Sequence, residues 1–246
     1  YGKGINGTNV SDADVIAVTL NETSTGVQLS QLPIMDDQTI LAVDATSGAG
    51  QIPCDISKTD IFFFSPQKVF ASEGGFFVAI ISPKARVRVL KNNEDKTRYV
   101  PGIMNFKTCI DNSDKNQAYN TPSVSTLFFL NEQIKEMNKL GYQNIINEAQ
   151  RKADLLYGWA KEKDYLSVYI EQIEFRSTAV ACIDVNDKIE INALLKILGE
   201  KKIVYGIESY RKLGRNQFRI ALFHNVTFDN LEKLTKLLSD AIEKEL

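Results

Sequence analysis

Ile61-Phe62-Phe63-Phe64-Ser65-Pro66-Gln67-Lys68 sets the architecture of this chain. Four consecutive apolar residues, three of them phenylalanine, predict a short strand buried on both faces, because a strand covered on each side has no polar face to alternate with. Pro66 ends the strand and holds Ser65 in an extended or turn geometry. Lys68 then leaves a packed sheet edge with its stem among apolar groups, where desolvation lowers an ammonium pKa and yields a usable nucleophile. Ala71-Ser72-Glu73-Gly74-Gly75 supplies small, flexible backbone before a second apolar run, Phe76–Ile81. A rigid strand, a lysine and a glycine segment suit a Schiff-base site, although most lysines just after a strand face solvent in ordinary turns.

Thr39–Ala45 (TILAVDA) is a second buried-strand pattern and ends on Asp44, beside Thr46-Ser47-Gly48-Ala49-Gly50. If the two strands are parallel neighbours, Asp44 and Lys68 both emerge at the carboxyl edge of one sheet, where open α/β sheets bind ligands. A carboxylate at one strand end and an amine at the next can hold a pyridinium nitrogen and an aldehyde on opposite sides of one ring. Pyridoxal phosphate demands that division of labour.

Length and composition bound the alternatives. A chain of 246 residues with 43% apolar content supports a sizeable core, as one large domain or two modest ones. Its formal charge of -2 gives no support for a nucleic-acid partner. Cys54, Cys109 and Cys182 follow no metal or disulfide spacing and read as reduced thiols in a reducing compartment, and a cytoplasmic protein is expected. With one histidine, His224, neither a zinc site nor a Ser-His-Asp triad is expected. No apolar run reaches the roughly 20 residues of a membrane span.

The first twelve residues read as a loop. Asp14–Leu20 predicts another buried strand, opening onto the polar turn Asn21-Glu22-Thr23-Ser24-Thr25-Gly26. Phe76–Ser82 is expected to be a strand, Pro83–Lys91 a helix, although its Val/Arg alternation also permits a strand, and Asn92–Asn120 a long polar loop. Thr121 as N-cap with Pro122 at the first position predicts a helix to about Lys139, whose free N–H groups with Asn120 and Thr121 would make an anion site. Tyr142–Lys161 has clear helical periodicity and is the expected bridge between domains. Beyond it, strands over Tyr165–Ile170, Ala179–Asp184, Ile203–Tyr205 and Phe218–Phe223 alternate with a helix over Ile189–Gly199. A closing helix follows Asp229-Asn230-Leu231-Glu232, which has capping-box spacing.

Arg211, Arg215 and Arg219 are candidate anion ligands, because a guanidinium fork matches carboxylate and phosphate bidentately. Arg219 is the most informative, alternating with Phe218 and Ile220 in a strand and so pointing away from the apolar face. Glu22, Asp60 and Glu73 are carboxylates without a spacing that pairs them, and a glycosidase reading is set aside.

The motifs Asn21–Gly26, Val43–Gly48, Phe64–Lys68 with Phe70–Gly75, Asn116–Pro122 and Tyr210–Arg219 occur in one order that closely resembles the phosphoserine aminotransferases of actinobacteria, within the class V aminotransferases of fold-type I. The resemblance implies an α/β fold with a mostly parallel large-domain sheet and a smaller C-terminal α/β domain. It divides the chain into residues 1–141 of the large cofactor-binding domain, a bridging helix at 142–161, and a small domain at 162–246. It also implies pyridoxal 5'-phosphate as cofactor, held by Lys68 as the Schiff-base lysine, Asp44 at the ring nitrogen, Thr23 at the ring oxygen, and Gln67 and Ser47 near the phosphate. Asn120 and Thr121 would reach that phosphate from the other subunit of a homodimer. Arg219 would hold the substrate carboxylate, and Arg211 and Arg215 would lie near the substrate phosphate.

By that resemblance the expected reaction is transamination between L-glutamate and 3-phosphohydroxypyruvate, giving 2-oxoglutarate and O-phospho-L-serine, with small-molecule partners and neither nucleic acid nor membrane. Alternatives are another class V enzyme such as an alanine–glyoxylate aminotransferase, or a dimerisation or scaffold fragment. The resemblance further implies a long N-terminal portion that this sequence lacks, including a Gly-rich turn, a ring-stacking aromatic residue and a His-Arg pair. The chain alone is therefore expected to be weakly active or inactive.

Overall fold

The computed structural model describes residues 2–4 and 12–244, so the loop expected at the start lies largely outside the described residues. In chain order come β1 (Val15–Thr19), β2 (Asn21–Glu22), β3 (Val27–Gln28), β4 (Ile40–Asp44), β5 (Ile61–Phe64) and β6 (Val78–Ile81). Four helices follow, α1 (Pro83–Glu94), α2 (Phe106–Ser113), α3 (Val124–Leu140) and α4 (Tyr142–Glu162). The rest comprises β7 (Leu166–Val168), β8 (Val180–Val185), α5 (Ile191–Glu200), β9 (Gln217–Ala221) and α6 (Phe228–Ile242).

Four strands form a mixed sheet in the order β1-β4-β5-β6, the first three parallel and β6 antiparallel to β5. One face, bearing Leu41, Val43 and Phe62, packs on Leu20, Ala49, Ile52 and Ala179. The expectation of burial on both faces fails in two places. Ile61, Phe63 and Phe64 are only half-buried, with Phe64 stacked on Phe70 at 4.7 Å, and β1 is an outer strand whose Val15 is 52% exposed. Asp60, just before β5, anchors the amino end of the sheet. Its carboxylate accepts from the Leu41 N–H (2.9 Å), the Ser82 hydroxyl (2.7 Å) and the Lys84 ammonium (2.8 Å).

A second, three-stranded antiparallel sheet, β7-β8-β9, carries α4, α5 and α6 over a continuous core that includes Leu156, Ile183, Phe218, Ile220 and Leu238. The N-terminal end of α4 packs elsewhere, through Ile145 against Val69 and Met137. Two ties join the sheets. Gln51 is fully buried, and its amide donates to the carbonyls of Thr178 (2.8 Å) and Leu222 (3.3 Å). The β2–β3 hairpin accepts from the Ser177 N–H at the Gly26 carbonyl (3.0 Å) and from the Thr178 N–H at the Gln28 side chain (3.0 Å).

Several boundaries differ from expectation for local reasons. The α3 helix is capped by the Ser123 hydroxyl, which accepts from the Thr126 N–H (3.4 Å), so Thr121 is not the N-cap and Asn120 and Thr121 precede the helix start. Within the stretch expected to be a loop, Asn105 caps α2 and the chain buries Ile110. Residues 203–205 form no strand, and Gly199 lies inside α5, the left-handed turn falling on Lys202 (φ 56°). Thr227 caps α6 in place of the Asp229 capping box. No helix among the described residues is long and apolar enough to cross a membrane.

Candidate active site

Because β1, β4 and β5 are parallel, their carboxyl ends share one edge, and the register sets Thr19, Asp44 and Phe63 side by side. From that edge emerge the hairpin with Asn21, Glu22 and Thr23, the Asp44–Ser47 turn, and the Lys68 turn. Asp44 accepts from the Thr46 N–H (2.9 Å), which fixes its carboxylate at the strand end. Around Lys68 the chain reverses tightly. The Ala71 N–H donates to the Lys68 carbonyl (2.9 Å) and the Ser72 hydroxyl to the Thr126 carbonyl of α3 (2.9 Å). Ala71 takes a left-handed φ of 48°, a conformation that costs a residue with a Cβ about 1 kcal/mol.

Lys68 is half-buried, and desolvation lowers its ammonium pKa; the nearby positive charge of Arg219 lowers it further, while Glu22 opposes both. Three elements thus bring three charges together: the turn after β5, β9 and the hairpin. Glu22 is oriented by Ser24, whose N–H (3.0 Å) and hydroxyl (2.6 Å) donate to one carboxylate oxygen. Arg219 sits between buried Phe218 and Ile220 and pairs in register with Cys182, whose thiol burial pushes up to about 12. Its guanidinium has no hydrogen-bond or ion-pair partner among the described residues. Arg215 differs, with two bonds to the Asp184 carboxylate (2.9 and 2.6 Å) and a stack over the Tyr169 ring.

The remaining expected residues divide. Thr23 lies half-buried in the hairpin turn and Gln67 is exposed beside Lys68. Ser47 is only 3% exposed, and its hydroxyl is spent on Asn21, donating to the carbonyl (2.6 Å) and accepting from the side-chain amide (2.9 Å). Arg211 is exposed in a single 3-10 turn, Arg211–Leu213. Asn120 and Thr121 are exposed in the wall of a separate cleft with Phe76, Phe77 and Tyr119, and Lys68 does not line it. Among the described residues no three His, Cys, Asp or Glu side chains converge as a metal site.

Sequence reading passed over three participants. Glu22 faces Lys68, yet a carboxylate in a polar turn carries no signal of what lies across from it. The carboxamide oxygen of Asn21 is buried without a hydrogen-bond partner among the described residues. Gly26, at φ +71°, lets the hairpin meet β8, since a Cβ there would lie 3.0 Å from the Val180 carbonyl oxygen and 3.2 Å from the Cys182 sulfur.

The carboxyl edge of the mixed sheet thus carries a carboxylate fixed at the end of β4 and, beyond β5, a desolvated lysine that feels the charge of an arginine from the second sheet, an arrangement found in α/β enzymes. The sequence model of the class-V aminotransferases matches residues 7–211, and the chain belongs to that family. It is 44% identical over 225 residues to a phosphoserine aminotransferase of Corynebacterium glutamicum, covering 91% of this chain and 59% of that protein. A putative phosphoserine aminotransferase of Mycolicibacterium paratuberculosis is 40% identical over 235 residues, covering 94% of this chain and 62% of that one. The crystal structure of a phosphoserine aminotransferase from Cytophaga hutchinsonii superposes with a TM-score of 0.81 at 24% identity, over 97% of this chain and 67% of that one. The chain thus spans about three fifths of the length of these two sequence relatives.

Proposed function

We propose that the protein transfers an amino group between L-glutamate and 3-phosphohydroxypyruvate, giving 2-oxoglutarate and O-phospho-L-serine, with pyridoxal phosphate as cofactor. The observation that carries the reading is Lys68, half-buried in the turn beyond the sheet edge where Asp44 ends β4 and near enough to Arg219 of the second sheet for its charge to lower the ammonium pKa, in a chain 44% identical to a phosphoserine aminotransferase. The residues present fit the cofactor: a desolvated amine for its aldehyde, a carboxylate at the neighbouring strand end for its ring nitrogen, and an orphaned buried oxygen on Asn21. When bound, pyridoxal phosphate supplies an electron sink for the substrate α-carbon.

The chain's own residues supply the rest. Lys68, with its lowered pKa, takes a proton from the substrate α-carbon and returns one at the end of the transfer. Asp44 would hold the ring nitrogen of the cofactor in its protonated form, and the Thr23 hydroxyl would bond its ring oxygen. Arg219 receives the α-carboxylate bidentately, in surroundings rigid enough to orient it. Arg211 takes the substrate phosphate, since Arg215 is already engaged by Asp184. Gln67 meets the cofactor phosphate from this subunit and Asn120 and Thr121 from a second copy, so the working unit is a homodimer. Ser47 supports Asn21 instead of touching phosphate. Residues 1–141, 142–161 and 162–246 serve as part of the cofactor domain, the bridge and the small domain, in a cytoplasmic protein that engages neither nucleic acid nor membrane.

The test is borohydride trapping of added pyridoxal phosphate followed by peptide mapping. Label on Lys68, lost in Lys68→Ala, is expected; label on another lysine defeats the assignment. Faster turnover with phosphohydroxypyruvate than with glyoxylate supports the dianionic substrate, and the reverse order moves the protein to an alanine–glyoxylate type.

A further inference from the structure

A second cleft, of ≈ 530 Å³, lies between the α3–α4 corner and the connection from β9 to α6. It uses none of the residues assigned above. Leu140, Ile145, Val226 and Phe228 give it apolar walls, and Lys152 and His224 give it polar ones. Lys152 is 1% exposed, the most enclosed charged side chain among the described residues. An ammonium has three N–H donors, and the one hydrogen bond made by Lys152 among the described residues goes to the Phe223 carbonyl, at 3.1 Å. No carboxylate lies within ion-pair distance of it there. Glu148 and Arg151 also face the cleft, but they are paired with each other at 3.2 Å and Arg151 lies over the Phe228 ring.

A buried ammonium with a single neutral acceptor is an unfavourable arrangement unless an anion completes it. One further feature favours an anion. The α6 helix begins at Phe228 in the cleft wall, with the positive end of its dipole there. The His224 imidazole donates through Nε2 to Gln133 (3.1 Å), and burial with the charge of Lys152 lowers its pKa, so its Nδ1 is a lone pair that borders the cleft without binding the charge. We propose that this cleft is a binding site for a compact monocarboxylate, its charged head at Lys152 and the start of α6 and its apolar body against Leu140, Val226 and Phe228. A bare inorganic oxyanion would leave the apolar walls unused, and a neutral ligand would leave Lys152 uncompensated.

His224 is the single histidine of the sequence, so its imidazole resonances report on the cleft without ambiguity. Hexanoate titrated into protein carrying carbon-13-labelled histidine is expected to shift them saturably. Hexanamide, of the same shape without charge, is expected not to. Lys152→Met, which preserves side-chain volume, should weaken hexanoate binding by about tenfold or more, the scale of one charge-assisted hydrogen bond. Val226→Trp, which fills the apolar end, should abolish it, while Lys68→Ala should leave it unchanged. The proposal is overturned by an equal response to hexanamide, by saturation with inorganic phosphate but not hexanoate, or by unchanged hexanoate affinity in Lys152→Met or, should that variant not fold, in Val226→Trp.

Discussion

The two sheets hold their functional side chains in opposite ways. In the antiparallel sheet, β8 lies between β7 and β9 with Val180–Ile183 fully buried, and Arg219 projects from β9 between two buried residues. In the mixed sheet, the side chains that meet at the carboxyl edge stand on turns just beyond the strands, and the outer strand β1 is half open to solvent. Arg219 is fixed by scaffold, whereas Lys68 sits in a turn closed by a few hydrogen bonds and a left-handed alanine. Precision of orientation and freedom to move are thus assigned to different parts of the chain.

The contrast can be broken most directly by stability. Ile183→Ala removes a fully buried side chain from the middle of β8 and should cost about 4 kcal/mol. Val15→Ala, on β1, should cost less than about 0.5 kcal/mol. Comparable losses in urea unfolding would mean that the sheets do not differ as described.

The next effect concerns the amino end of the mixed sheet. Asp60→Ala strands the Leu41 N–H and the Ser82 hydroxyl and should destabilise by about 3 kcal/mol near neutral pH. Burial acts to raise the Asp60 pKa, but hydrogen bonds from Lys84, Leu41 and Ser82 outweigh it and hold the carboxyl below its ordinary value. The ionised form therefore stabilises the fold fully above the unfolded carboxylate range of about 3.9, and the contribution is lost as pH falls through the lower folded value. The gap between native protein and variant should narrow on acidification toward pH ~2. A gap independent of pH would remove the ion pair from the account.

The smallest effect tests how the sheets meet. Glu22→Gln removes the negative charge opposing desolvation of Lys68 and should move the pH midpoint of pyridoxal phosphate trapping downward. Arg219→Met removes a positive charge and should move it upward. Shifts in the same direction would show that the three charges do not share one site.

Much of this arrangement is legible in the sequence because it rests on short-range patterns. The apolar runs at residues 40–43 and 61–64 announced two strands, and a common direction put Asp44 and Lys68 at one edge. The alternation around Arg219 announced its outward projection. What stayed hidden depends on distant partners. Nothing near Arg215 foretells Asp184, which strand pairing delivers from β8, and nothing near Ser47 foretells that Asn21 absorbs its hydroxyl. The α3 cap is ambiguous in the sequence because Thr121 and Ser123 both satisfy the local rule and Pro122 favours the first. Backbone geometry chose the second, whose hydroxyl reaches the Thr126 N–H. The helix α2 leaves no sequence signal because one buried residue, Ile110, is too little periodicity to read.

The β2–β3 hairpin has the composition of a surface loop in which one residue more or fewer would pass unnoticed. Its attachments say otherwise. The base is fixed by the Leu20 N–H on the Asp44 carbonyl and by Ser47 on Asn21, and the far side is fixed by Ser177 and Thr178. With both ends clamped and Gly26 wedged on Cys182, the segment works as a spacer of set length. A single insertion would have to separate the sheets or tear one clamp, so loop-length variation should be least tolerated in this short polar turn, whose residues look most replaceable.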